Sequence, residues 1–177
     1  YGEPRLINTG TGARNGSYKG ADRRTVHLGV DLYFPAGTAV RAPFDALVES
    51  VEFHGDAQDY GGLVVLRHVT PDGDWFSTLY GHLEKKTVEH LERGQRIAAG
   101  APFAARGTPE ENGGWAPHLH FQLLLDSGAA GAGWPGVCDP DDRDHWQALS
   151  PNPAALLNLD DARVAYEPTD AEAVAQG

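Results

Sequence analysis

No methionine occurs anywhere in the 177 residues, and cysteine occurs once, at Cys138. A lone thiol rules out an internal disulfide framework. Its setting among Gly, Pro and Asp, away from any histidine cluster, marks it as a spectator rather than a ligand or nucleophile. Long apolar runs are missing too: nothing approaches the ~20 consecutive apolar residues of a membrane-spanning helix. No basic segment followed by an apolar one opens the chain as an export signal would. Positive charge is scarce, with 14 Lys and Arg against 25 Asp and Glu and a net charge of −11. That balance opposes binding to nucleic acid, to anionic membranes and to anionic wall polymers, so no nucleic-acid and no membrane partner is expected.

What is present is a chain of short strands. The 22 glycines and 12 prolines separate alternating or β-branched runs, and strands are expected over Thr38–Phe53, Leu63–Val69, Trp75–Leu83 and His118–Leu125, with a weaker pair within Gln95–Ala105. Pro71-Asp72-Gly73-Asp74 reads as a hairpin turn, because proline presets one dihedral and glycine supplies a positive φ. Lys85–Arg93 is the central stretch with helical character, and short helices are expected over Asp144–Leu149 and Pro153–Leu159. Closely spaced strands with tight turns predict an all-β fold, a compact antiparallel β-sandwich or open barrel with short peripheral helices, rather than βαβ units. A chain of this length suits one domain. It is placed at 25–159, between an N-terminal arm at 1–24 and an acidic tail or linker at 160–177. Ser127–Asp144 reads as a long loop.

Three short patterns carry the chemistry. In the apolar run Pro117-His118-Leu119-His120-Phe121-Gln122-Leu123-Leu124-Leu125, strand alternation turns His118, His120 and Gln122 to one face and Leu119, Phe121 and Leu123 to the other. Neutral imidazole is a common metal ligand, and a solvated strand face is the other reading of that pair on its own. In His27-Leu28-Gly29-Val30-Asp31 a fully extended strand would hold the first and last Cα atoms roughly 13 Å apart. A bend is therefore needed for the imidazole and the carboxylate to meet, and Gly29 is the residue that permits one. Thr78-Leu79-Tyr80-Gly81-His82-Leu83 brings a further histidine to a strand end. Together these supply an early His and Asp, a middle His and a late His-x-His, a donor set suited to a mononuclear zinc site with one position open to water. Of the remaining histidines, His68 reads as a structural or supporting group, and His54, His90 and His145 as solvated. Arg5 and Asn8 belong to the arm, and Glu110-Glu111-Asn112-Gly113-Gly114-Trp115 could line a substrate groove.

Val26-His27-Leu28-Gly29-Val30-Asp31, followed by Pro35-Ala36-Gly37-Thr38-Ala39-Val40-Arg41-Ala42-Pro43, resembles the first motif of the lysostaphin-type zinc endopeptidases. Tyr80-Gly81-His82-Leu83 is similar to the middle motif of that family, Gly94-Gln95-Arg96-Ile97-Ala98-Ala99-Gly100 to its turn, and Pro117-His118-Leu119-His120-Phe121 to its last motif. The resemblance runs from about Thr25 to Leu124. It implies a metal groove on one sheet and one Zn2+ per chain, held by His27, Asp31 and His120. His82 and His118 would be the catalytic groups beside the metal-bound water and the substrate carbonyl, with the base undecided between them. The implied activity is zinc-dependent hydrolysis of an amide or peptide bond by attack of that water. The alternative is a catalytically silent binding or regulatory module of a larger enzyme, against which the five intact positions argue.

Tyr1-Gly2-Glu3-Pro4-Arg5, the loop Pro109–Trp115 and Trp146–Pro153 resemble a subgroup in which such a domain is the middle piece of a cytoplasmic protein. There it lies between an aminoglycoside-kinase-type phosphotransferase and a class-three pyridoxal-phosphate aminotransferase. That resemblance implies covalently linked flanking kinase-like and aminotransferase domains as partners, a cytoplasmic location, and a small amide or amino-acid conjugate as substrate. A secreted peptidoglycan endopeptidase is the alternative. In some relatives of the wider family the N-terminal arm covers the groove in a latent form.

Overall fold

Alternating apolar positions and a tight turn build the centre of the molecule, seen in a computed structural model that describes residues 1–5, 24–125 and 133–159. β4 (Ala46–His54), β5 (Gly61–Val69) and β6 (Trp75–Leu83) form an antiparallel meander. The expected turn closes β5 onto β6: Gly73 takes φ +92° and Thr70 N–H donates to the Asp74 carbonyl at 2.7 Å. β2 (Val30–Leu32), β9 (Leu119–Leu124) and β7 (Arg96–Ile97) complete a six-stranded sheet in the order β2-β9-β6-β5-β4-β7. The all-β expectation holds, with α1 (Lys85–His90) and α2 (Arg143–Leu149) as the short peripheral helices. Among the described residues, 3₁₀ segments at Pro140–Asp142 and Pro153–Leu157 accompany them.

The expected single strand over Thr38–Phe53 divides in two. β3 (Ala39–Arg41) leaves the main sheet and pairs with β8 (Pro102–Ala105). Ala42-Pro43-Phe44-Asp45 breaks the run, since Pro43 has no N–H to give a ladder. The β3–β8 pair covers one face of the sheet and encloses the main core of Val30, Val40, Val48, Val64, Leu66, Tyr80, Leu83, Leu119 and Phe121. The opposite face carries a second core in which Leu63, Val65, Leu79 and Leu124 lie under Trp134, Trp146 and Leu149. β9 is therefore buried on both faces, His120 and Gln122 included. This sets aside the solvated strand face, the other reading of the histidine pair.

β1 (Val26–His27) stands apart from the main sheet. On one edge it pairs with β10 (Val137–Cys138). On the other it meets the first residues of the chain, through a Pro4–Val26 bridge and main-chain bonds Gly2 N–H to His27 O (2.9 Å), His27 N–H to Glu3 O (3.1 Å) and Arg5 N–H to Thr25 O. Residues 6–23 of the arm with Asn8, residues 126–132, which take in the start of the Ser127–Asp144 loop, and the tail at 160–177 lie outside the described residues.

Candidate metal centre

The bend expected between His27 and Asp31 is present, because β1 and β2 are separate strands joined by Leu28-Gly29. Gly29 is required there for space rather than for an unusual φ. A Cβ at this position would lie 2.7 Å from both His120 Cε1 and the Phe121 carbonyl oxygen, inside any real contact distance. Asp31 stands directly opposite His120 across the β2–β9 ladder, so their side chains share one face. The bend brings His27 over the same point.

The three donor atoms form a small triangle. His27 Nε2 is 2.9 Å from His120 Nδ1 and 3.4 Å from Asp31 Oδ1, and His120 Nδ1 is 3.5 Å from Asp31 Oδ1. Ligands held ~2.0–2.1 Å from a tetrahedral zinc lie about 3.3 Å from one another. The outer nitrogens fix the tautomers. His27 Nδ1 lies 2.7 Å from a Glu3 carboxylate oxygen and so carries the proton. His120 Nε2 lies 3.0 Å from Gln122 Oε1, whose own amide donates to the Pro135 carbonyl at 3.3 Å, and so carries the proton as well. The inner atoms, His27 Nε2 and His120 Nδ1, then hold lone pairs that face each other and Asp31 Oδ1, a buried oxygen with no hydrogen-bond partner. Three acceptors converge with no donor among them. A bound cation satisfies all three, so this donor set fits zinc.

Charge states agree. Burial pushes the His27 imidazole down to about 4 despite its bond to Glu3. Burial alone would raise Asp31, but the adjoining His120 and His27 imidazoles and the Arg5 guanidinium outweigh it and hold the carboxyl well below the usual range. Asp31 Oδ2 accepts from Arg5.

His82 and His118 lie beside the triangle with their rings 4.3 Å apart. His118 Nδ1–H donates to the Ala116 carbonyl at 2.6 Å, which leaves the lone pair on Nε2, 3.5 Å from Asp31 Oδ2. His82 Nδ1–H donates to the Asn112 carbonyl at 3.2 Å, so its Nε2 carries the lone pair also. Burial lowers both imidazoles, His82 to well below its ordinary value, with the neighbouring His118 adding to the effect.

Simple alternation would turn His82 away from the site, on the same side as core Tyr80. A bulge prevents this. Gly62 pairs with Leu83 and Val64 with Tyr80, so Gly81 and His82 together oppose Leu63 alone. His82 takes φ +66°, a left-handed backbone rare outside glycine, and its ring is re-aimed toward His118. Gly81 leaves room for the Tyr60 ring, which a Cβ would meet at 2.5 Å and which packs 5.5 Å from His120 and 6.0 Å from His82.

All five expected site residues therefore come together. Of the other groups, His68 is buried away from them, bonded to Thr78 Oγ1 at 2.8 Å. His90 and His145 are exposed. His54, expected in solvent, is instead clamped between Glu52 (3.0 Å) and Asp59 (3.4 Å), and these raise it to about 9. Trp115 lies at the site, 6.3 Å from His82 and 6.4 Å from His118, whereas Glu111 accepts from the Thr108 and Lys85 N–H groups and holds its own loop. Cys138 is buried and its thiol is pushed up to about 11 by that burial. Glu3, Tyr60 and Tyr33, whose ring is 5.5 Å from His118, were not singled out by sequence reasoning. Gln122 was visible only as a residue sharing the histidine face.

The family model described as Peptidase family M23 matches residues 25–130. An uncharacterized metalloprotease of Haemophilus influenzae is 36% identical over 58% of this chain and 19% of its own length. A DD-carboxypeptidase/endopeptidase, Mpg, of Neisseria meningitidis serogroup B is 32% identical over 57% of this chain and 20% of its own. The chain thus spans about a fifth of the curated relatives it matches. Among solved structures, the catalytic domain of lysostaphin from Staphylococcus simulans aligns with 75% of this chain and 89% of its own, at 23% identity and a TM-score of 0.47. A zinc-containing peptidase from Vibrio cholerae aligns with 65% and 32%, at 30% identity and 0.46.

Proposed function

The chain belongs to peptidase family M23, and on that footing we propose that it is a zinc metallopeptidase that hydrolyses an amide bond in a short peptide or amino-acid conjugate. His27, Asp31 and His120 would hold the metal, and His82 and His118 would move the proton. The observation that carries the reading is the meeting of three inward lone pairs, 2.9–3.5 Å apart, beside two imidazoles whose Nδ1–H groups are already engaged by main-chain carbonyls.

Zinc, when bound, lowers the pKa of water and polarises an amide carbonyl. The chain's own residues do the rest. His118 presents an unprotonated Nε2 next to Asp31 and accepts the proton of the attacking water. His82, with its ring 4.3 Å away, completes an imidazole pair from which that proton is returned to the departing amine nitrogen. Trp115 and Tyr33 both lie near His118 and offer apolar surface to the substrate.

Two substrate classes follow from different observations. The net charge of −11 opposes docking on an anionic wall polymer and so favours a small amide, the substrate class that the resemblance to the cytoplasmic fusion subgroup also implies. The likeness to the Neisseria DD-carboxypeptidase/endopeptidase favours the alternative substrate, a peptidoglycan peptide. The test is a panel of amino-acid amides, γ-glutamyl conjugates, pentaglycine and muropeptides, run on the zinc-loaded chain and on its His82→Ala and His118→Ala variants. Each variant is expected to keep zinc and lose about 10²–10⁴-fold in turnover. Parental turnover in either variant overturns its role, and zinc-loaded protein inert on the whole panel overturns the proposal in favour of a silent binding module.

A further inference from the structure

The residues that match the family model begin at residue 25, yet two of the groups touching the metal ligands come from the first five residues of the chain. Residues 2–5 run antiparallel to β1, with Pro4 opposite Val26. Alternation along such a strand turns Glu3 and Arg5 to one face, and the register sets Glu3 beside His27. Glu3 Oε1 receives the His27 Nδ1–H at 2.7 Å and Arg5 Nη2 at 2.7 Å, with Arg5 Nε at 3.1 Å. Arg5 Nη2 has two hydrogens, and its second goes to Asp31 Oδ2. The same nitrogen lies 3.0 Å from His27 Nδ1. With both its hydrogens engaged it has none left for that atom, which is then free to donate to Glu3.

We propose that Glu3 and Arg5 are positioning residues of the metal site. Glu3 fixes His27 as the Nδ1–H tautomer with Nε2 turned inward, and Arg5 occupies Asp31 Oδ2 so that Oδ1 alone faces the metal. The N-terminal strand thus completes the site from outside instead of lying over it. A carboxylate behind a ligand histidine sets the ring's orientation and its basicity, and loss of such a partner typically weakens metal binding 10–100-fold. Without Glu3, the proton of His27 is free to move to Nε2, which then donates to His120 Nδ1, 2.9 Å away, and closes the triangle against the ion.

The experiment uses the full 177-residue chain with Glu3→Met, which keeps the length and removes the acceptor, and Glu3→Gln, which keeps the acceptor and removes the charge. Neither touches the main-chain bonds between residues 2–5 and β1, so the strand pairing persists in both. Zinc affinity is read by competition with a chromophoric chelator, and the His27 tautomer by ¹⁵N NMR on zinc-free protein. Glu3→Met is expected to bind zinc 10–100-fold more weakly and to shift His27 toward Nε2–H. Glu3→Gln is expected to stay within a few-fold of the parent and to retain Nδ1–H. Parental affinity in Glu3→Met, equal losses in both variants, or a loss with no change of tautomer each overturns the positioning role. The inference rests on the metal reading above. A parent that bound no zinc would overturn that reading, whereas a zinc-binding parent with an indifferent Glu3→Met overturns this one alone.

Discussion

His82 concentrates more structural cost than any other site residue. Its φ of +66° places an L side chain in a region that disfavours it by about 1–2 kcal/mol, and the bulge that imposes this is also what directs the ring toward His118. Strain and function at this position therefore have one origin. Replacing His82 by alanine keeps the backbone penalty, whereas glycine removes it. Both variants should lose turnover, and His82→Gly should resist urea better than His82→Ala by about 1 kcal/mol. Equal or lower stability of the glycine variant would show that the backbone is unstrained. Nothing in Tyr80-Gly81-His82 announces the bulge, since its cause is a two-against-one pairing with β5 that exists only once the sheet is assembled. Gly29 teaches a related lesson. The sequence marks it as the place of a bend, but its necessity lies in the ring of His120, which is remote along the chain.

At the scale of elements, runs with their own periodicity were readable: β5, β6, β9 and the turn at Gly73 lie where the pattern places them. Two-residue strands such as β1 and β10 have no period to read, and their partners are chosen by the tertiary fold. Pro43 dividing β3 from β4 was legible in principle, from its missing N–H. The end of β4 and the segment that follows it form a titratable clamp, His54 between Glu52 and Asp59, ahead of Tyr60 in the site wall. The hydrogen bonds to these carboxylates raise the imidazole from 6.5 to about 9 in the folded chain. A raised folded pKa contributes stability that is complete below the unfolded value and disappears as the pH climbs from 6.5 to about 9. The pairs are partly solvent-screened, so the contribution is of order 1 kcal/mol at most. Hydrogen exchange in residues 54–61 should quicken, relative to the intrinsic rate, across that interval. A His54→Gln chain should show no such step, and an identical profile in the variant would remove the clamp.

For the whole molecule, the metal centre ties together pieces that the chain separates widely: the first five residues, β1, β2, β9 and, through Pro135 and Gln122, the segment before β10. An ion that binds the folded site and not the unfolded chain adds about 2.7 kcal/mol at a hundredfold excess over its Kd. In a domain of this size that is a rise of roughly 5–10 °C in Tm. Differential scanning calorimetry with zinc and with a chelator should show the difference, and coincident transitions would mean that the triangle holds no ion. The site itself was legible from five residues and their order. Its supporting shell was not, because Glu3 and Arg5 gain their meaning only from a strand register. That register also governs how a substrate approaches. The main-chain groups of β1 are engaged by β10 on one edge and by residues 2–5 on the other, so no incoming peptide can dock there as an added strand. At β1, contact with a substrate is therefore left to side chains, and Tyr33 and Trp115 stand beside His118, next to the metal triangle.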